Sequence, residues 1–230
     1  MLTIHTLLYG DKYTYDDVNR IAACVGEDYR VVCHTDQSEK LRKEGLYEDI
    51  ILRWADVKLG TFNKVNILGE DWGESLYLDL DVVIQRPENL YQFFSNDLTI
   101  CKTYWKPDGF EAEHGGGDFN SSVIAWKGIA GNHITKHFNK DPKKYLKKYK
   151  GCDDKYLFHE HKKEFGVFEK GKIYSFIFGY DHTEEDSKKI KRRDEYDIAL
   201  LNGAADLGRD LKAEYYATFS NNYVGKEIYT

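Results

Sequence analysis

Residues 76–84 read Leu-Tyr-Leu-Asp-Leu-Asp-Val-Val-Ile, an apolar stretch broken only by two aspartates at alternate positions. Such a run reads as one strand from Leu76 to Ile84, covered on both faces. Alternate residues of an extended chain point to the same side, so Asp79 and Asp81 are expected to project together. Two like charges beside a buried sheet are unfavourable unless a cation or hydrogen bonds satisfy them. An all-oxygen pair suits a hard divalent ion, Mn²⁺ or Mg²⁺, which takes its other ligands from water and phosphates. The plain alternative has both carboxylates beyond the strand end, capping a helix or meeting lysines.

The chain around this segment alternates strand and helix signals. Leu2 to Tyr9 opens as a strand and stops at Gly10-Asp11. Thr14 three residues before Asp17 is a helix-capping pattern, and Val18, Ile21, Ala22 and Val25 follow at helical spacing. Further strands are expected at Tyr29 to His34, Ile50 to Leu52, Leu98 to Lys102, Ser122 to Trp126, Ile173 to Phe178 and Ile198 to Leu201, with helix around Asn63 to Leu68. This order predicts an α/β fold with a mixed, mostly parallel sheet flanked by helices, its ligands at the C-terminal strand ends. Lys143 to Lys150 fits a basic helix with Tyr145, Leu146 and Tyr149 inward; Glu184 to Asp197 fits a surface helix or loop. No repeat or linker divides the chain, which reads as one domain over 1–230.

Composition narrows the partners. An apolar share of 41% with 15% aromatics belongs to a folded globule, and a net charge of -6 argues against nucleic acid. No apolar run is long enough for a transmembrane segment. The opening residues do not look like a signal peptide. Cys24, Cys33, Cys101 and Cys152 are far apart and without a C-x-x-C pair. Reduced cysteines in a cytoplasmic protein are the expectation. His159 and His161 are too close in sequence to make a zinc site without further ligands.

Several segments together resemble family 8 of the glycosyltransferases, the group that includes glycogenin and the lipopolysaccharide galactosyltransferases. Tyr9-Gly10-Asp11-Lys12-Tyr13 is similar to the family's first nucleotide-binding loop, and Cys33-His34-Thr35-Asp36 to its second strand end. Phe62-Asn63-Lys64 precedes the Asp79-Leu80-Asp81 strand at the family spacing, and Arg86 to Leu90 continues like the following turn. Phe119 to Trp126 resembles the strand whose Asn-Ser start, here Asn120-Ser121, lies near the donor sugar; Gly151-Cys152-Asp153-Asp154 resembles a degraded Gly-Asp-Gln-Asp element. The resemblance covers residues 2 to 160 well and the rest poorly.

It implies a GT-A fold and a metal-dependent transfer of a hexose from a nucleotide-sugar, UDP-linked, to an unidentified saccharide, lipid or protein acceptor, with retention of configuration. It also implies that Tyr9, Gly10, Tyr13, Thr35 and Asp36 surround the nucleoside and that Lys64 faces a phosphate or the donor sugar. By the same resemblance Asp79 touches ribose and metal, Asp81 holds the metal, and Asn120 and Ser121 bind sugar hydroxyls. Asp153 or Asp154 would stabilise an oxocarbenium-like sugar. Each role has a plainer alternative: packing for the tyrosines, a surface position for Lys64, a strand-start turn for Asn120, and capping of a helix from Lys155 for the acidic pair.

Two departures stand out. Cys152-Asp153 replaces the family's Asp-Gln, and the C-terminal His-Gly-x-x-Lys-Pro signature is absent. Asn202 in Leu200-Leu201-Asn202-Gly203 stands where the metal-binding His would be, so Asn202 is the candidate third ligand. A phosphatase of the haloacid-dehalogenase type, with Asp79 as nucleophile, is the competing enzyme. A nucleotide-sugar-binding protein without turnover is the competing non-enzyme.

Overall fold

The computed structural model describes residues 1–107, 117–187, 193–202 and 210–217. Strand β1 (Leu2–Leu8), helix α1 (Tyr15–Val25), β2 (Tyr29–Thr35), α2 (Ser38–Glu44) and β3 (Ile51–Trp54) lead into a 3₁₀ segment, α3 (Asn63–Ile67) and β4 (Glu74–Leu78). Then follow β5 (Val82–Ile84), β6 (Leu98–Lys102), β7 (Phe119–Lys127) and the helices α4 (Asn132–Asn139), α5 (Pro142–Lys148) and α6 (Asp153–His161). The short strands β8 (Gly166–Val167), β9 (Ile173–Ser175) and β10 (Ile198–Leu200) precede α7 (Leu211–Ala217).

Seven strands form one sheet in the order β3-β2-β1-β4-β7-β6-β8, in which β7 runs against both its neighbours while the remaining pairings are parallel. Alternation along the strands feeds two cores, as a doubly covered sheet requires. From β4, Leu76 and Leu78 join Ile4, Val18 and Ile21 on one face, while Tyr77 joins Phe62, Ile124, Trp126 and Tyr156 on the other. Connections from β1 run to β2 on one side and later to β4 on the other. The crevice between the C-terminal ends of β1 and β4 is therefore a topological switch point, where α/β sheets bind their ligands.

The segment 76–84 departs from the expected single strand. β4 ends at Leu78, a turn closed by Val82 N–H on Asp79 O (3.1 Å) carries Leu80 and Asp81, and β5 joins β10 and β9 in a separate three-stranded sheet. Both halves are buried, so the apolar run continues through a change of sheet. Asp79 and Asp81 are brought together by this turn and not by strand alternation. Helix α6 also begins earlier than expected, at Asp153, with Cys152 as its N-cap. β9 stops at Ser175, short of Phe178, and β3 extends to Trp54.

Other expectations hold. Thr14 N–H donates to the Asp17 carboxylate (3.0 Å) at the start of α1, and Tyr145 and Tyr149 of the basic segment are buried. All four cysteines are free. Among the described residues no helix is long and apolar enough to cross a membrane. Residues 184–187 and 193–197 of the charged stretch form turns and bends, and 188–192 lie outside the described residues.

Beneath the sheet, His5 Nδ1 and His34 Nε2 approach to 3.1 Å, and both rings are buried. Burial and, for His34, the nearby Arg53 hold its imidazole down to about 3. The unfolded chain binds a proton near 6.5 while the folded one refuses it. Stability from neutral His34 is therefore complete above about pH 6.5 and drains away as pH falls towards 3. A His34→Gln variant should show a shallower loss of urea stability between pH 6.5 and 4, by a few kcal/mol, roughly one per pH unit. Parallel pH profiles for the two proteins would disprove the link.

Candidate active site at the ends of β1 and β4

Lys64 is the hinge of the site. It sits on α3, only 4% exposed, because Phe62, Val65 and Ile67 anchor the helix in the core and leave Lys64 to point under the strand ends. Its Nζ donates to Asp79 Oδ2 (3.0 Å) and Ser121 Oγ (3.0 Å) and lies 3.6 Å from Asp153 Oδ2. Burial alone would strip the charge from an ammonium, but Asp153, Asp79 and Asp154 outweigh it and hold Lys64 above the ordinary lysine range.

The carboxylates around it are built into the backbone. Asp79 N–H donates to Ser122 O (2.9 Å), tying the end of β4 to the start of β7. Tyr77, two residues back on the same side of the strand, donates its hydroxyl to Asp79 Oδ1 (2.7 Å). Ser121 Oγ donates to Asp153 Oδ2 (2.6 Å), and Ser121 N–H donates to Asp154 Oδ1 (2.6 Å). Thr61 Oγ1 donates to Gly151 O (3.0 Å), fixing the approach to α6. Asp153 and Asp154 occupy the first turn of that helix, where the macrodipole favours negative charge. Their contacts run sideways to β7, not back to a capping position.

Asp81 lies on the outer side. It accepts from the Tyr13 hydroxyl and has Lys12 Nζ 3.8 Å from its Oδ2. Burial and the charge of Asp79 nevertheless push its carboxyl above the ordinary range. Arg20, reaching across from α1, donates to Leu80 O (2.7 Å) and Val82 O (3.1 Å), and Leu201 N–H donates to Asp81 O (3.0 Å). The turn is thus gripped from both sides.

Asp154 is pushed up to about 6, by burial first and the charge of Asp153 second, against the pull of Lys64 and Ser121. A carboxyl with that value can exchange a proton close to neutrality. Lys106, shifted down by burial, feels the Asp154 charge as well. The site is therefore acidic, with Asp79, Asp81, Asp153 and Asp154 set against Lys64, Lys12 and Lys106. A diphosphate would be repelled here without a divalent cation, and the donor set fits one. On Asp79, Tyr77 and Lys64 take most of the lone pairs, whereas Asp81 keeps more of its own available.

The remaining expected residues divide. Tyr9 is half-buried beside Gly60, and Lys64, Asp153 and Asp79 all act on its hydroxyl. Gly10 adopts φ 63°, a left-handed conformation that suits glycine, and its carbonyl accepts from Gln37 Nε2 (2.8 Å). Thr35 is fully buried with Oγ1 accepting from Gln37 N–H (3.0 Å), so it shapes the loop; Asp36 beside it is exposed. Asn120 Oδ1 accepts from Ser122 N–H (3.1 Å), the local turn that sequence offers as its plainer role. Asn202 follows Leu201, whose N–H meets Asp81 O, and its own Oδ1 accepts from Ser175 Oγ (2.8 Å). Gly203 to Asp206 and Gly115-Gly116 lie outside the described residues.

Tyr77, Lys106 and Arg20 escaped sequence reasoning. Tyr77 was within reach, since it alternates with Asp79. Arg20 grips carbonyls about sixty residues away, which no local pattern reveals.

No family model matches the chain, and no curated protein does. Solved structures do. The apo form of the glycosyltransferase GlyE of Streptococcus pneumoniae TIGR4 superposes with a TM-score of 0.52 at 11% identity, over 98% of this chain and 52% of that one. This chain thus spans about half the length of GlyE. A glycosyltransferase involved in glycosylation of the major capsid of PBCV-1 matches with a TM-score of 0.48 at 14% identity, over 93% of this chain and 98% of that one. The α/β architecture, with its mixed and mostly parallel seven-stranded sheet, is that of the GT-A glycosyltransferases.

Proposed function

We propose that the chain is a metal-dependent glycosyltransferase moving a hexose from a nucleotide-sugar, UDP-linked, to an acceptor, with retention. The observation that carries the reading is the buried Lys64 joining Asp79, Ser121 and Asp153 beneath the Asp79-Leu80-Asp81 turn. Mn²⁺ or Mg²⁺ would be held by Asp81, with Asp79 and the Asn202 carbonyl oxygen as further ligands, and would act as a Lewis acid towards the departing diphosphate. Tyr9 and Tyr13 offer ring faces on the nucleoside side. Ser121 and Lys64 orient Asp153 and Asp154 towards the donor sugar, where carboxylates stabilise a developing oxocarbenium ion. Asp154 can also take up or return the acceptor's hydroxyl proton.

The expected result is that UDP raises the melting temperature in Mn²⁺ far more than in chelator. A ligand at about 100 times its Kd adds about 2.7 kcal/mol, or roughly 5–10 °C for a chain of this size. Equal shifts with and without Mn²⁺ would remove the metal from this reading. Phosphate release from p-nitrophenyl phosphate would favour the phosphatase, and Mn²⁺-dependent donor binding with neither hydrolysis nor transfer would favour the binding protein.

A further inference from the structure

At the opposite end of α6 from Asp153, four side chains meet that the proposed transfer does not use. His133 and His137 lie one turn apart on α4, His161 ends α6, and Glu164 follows in the next turn. His161 Nδ1 is 2.9 Å from Glu164 Oε2, and His133 Nε2 contacts the same oxygen. The donor atoms of His133, His161 and Glu164 all lie within 4.8 Å of one another.

We propose that His133, His161 and Glu164 form a binding site for a divalent transition metal of the zinc class, separate from the Asp79-Leu80-Asp81 turn. Two imidazoles and one carboxylate are a borderline donor set that selects zinc over magnesium or calcium. Tetrahedral ligands at 2.0–2.1 Å from zinc stand about 3.3–3.4 Å apart, so binding would open the two histidine–glutamate contacts and bring the imidazole nitrogens, within 4.8 Å of each other, to the same spacing.

The surroundings are arranged for coordination. His161 is buried, and its Nδ1–H donates to the acceptor-only carboxylate of Glu164. A metal taking the place of that proton would move it to Nε2, which has His137 Nδ1 at 2.9 Å and the Tyr156 hydroxyl at 3.1 Å as partners. His137 Nε2 lies 2.7 Å from Tyr145 Oη, so the relay can run in either direction. Outer partners of this kind fix the orientation and tautomer of a metal-ligating imidazole. The site also lies at the C-terminal end of α6, the end of a helix that favours a cation. His133 and Glu164 are exposed enough to admit the ion and leave a fourth position to water. Bound metal would clamp α4 to the end of α6, about 12 Å along that helix from Asp153.

Titration of the metal-stripped, tag-free protein with Co²⁺, followed by displacement with Zn²⁺, tests the site. The expected result is the intense visible spectrum of tetrahedral Co²⁺, saturating at one equivalent and abolished by Zn²⁺. Losing an outer hydrogen-bonding partner of a ligand costs 10- to 100-fold in metal affinity, so His133→Ala and Glu164→Gln should each weaken Zn²⁺ binding by more than about a hundredfold. Both positions are exposed, and circular dichroism verifies that the variants stay folded. Asp81→Asn should leave the signal intact. Failure of wild-type protein to bind Co²⁺ or Zn²⁺, binding unchanged in His133→Ala, or a signal lost in Asp81→Asn alone would each overturn the proposal.

Discussion

Lys64→Met should destabilise the protein by about 3–5 kcal/mol at pH 7, the scale for removing one partner of a buried ion pair. Methionine keeps the apolar stem packed but removes the positive charge among Asp79, Asp153 and Asp154. The loss is electrostatic, so it must depend on pH. Lys64 pulls against the rise of Asp154, already pushed up to about 6 by burial and Asp153, so without the ammonium that carboxyl climbs further above its unfolded value. Stability is then retained at low pH, where Asp154 is neutral, and falls as pH climbs through its raised value. Urea unfolding at pH 5 and pH 7 should show the deficit shrinking at the lower pH, and Asp153→Asn in the same background should recover part of it. Lys64→Arg should not rescue, because a planar fork does not fit a pocket shaped for a compact ammonium with three donors. A deficit below about 1 kcal/mol would mean that the network is not what orders the strand ends.

This central lysine marks the boundary of what the chain discloses on its own. Lys64 stands out in sequence only by its spacing from the two aspartates, and a surface lysine fits that spacing as well. Its burial follows from Phe62, Val65 and Ile67 turning α3 into the core, a tertiary outcome. The alternation of strands and helices, by contrast, is written locally in periodicity, so the doubly covered sheet was legible from residues 2 to 127. The pairing of Asp79 with Asp81 was legible too, although the geometry differs. Alternation along a strand and a tight turn both place residues i and i+2 near each other, and an apolar run that passes from one buried sheet to another hides the turn. Asp153 and Asp154 were visible as an acidic pair, yet their bonds to Ser121 join elements 32 and 33 residues apart. The same limit applies to the histidines. His133 with His137 and His161 with Glu164 are each one-turn pairs, but only the packing of α4 on α6 brings them together.

Asp81→Asn should make the metal-free protein more stable while removing its response to Mn²⁺. Asp81 is held above the usual carboxylate range by burial and by Asp79, with Lys12, Tyr13 and Lys64 only partly offsetting them. A carboxyl whose folded value is raised contributes stability below its unfolded value and loses it as pH rises through the folded one. At neutral pH the ionised Asp81 is therefore a burden on the fold. Asparagine keeps the size and the hydrogen-bonding oxygen but not the charge, so chelated protein should gain about 0.5–2 kcal/mol, the usual yield of relieving one unfavourable site. The gain should shrink as pH falls, because protonation removes the same charge from Asp81 in the wild type. In the proposed reading that same charge is the main anchor for the cation, because Asp79 is largely engaged by Lys64 and Tyr77. Mn²⁺ should then strengthen UDP binding in the wild type but not in the variant, a difference of more than about tenfold, or 1.4 kcal/mol. Calorimetric titrations of UDP with and without Mn²⁺, paired with urea curves in chelator, measure both halves. A variant that is less stable in chelator would contradict the repulsion between Asp79 and Asp81. A variant that keeps the full Mn²⁺ effect would place the cation elsewhere. A protein that sacrifices stability at one carboxylate and recovers it on binding a cation holds that carboxylate for its chemistry, since burial and a neighbouring charge would otherwise favour a neutral residue there.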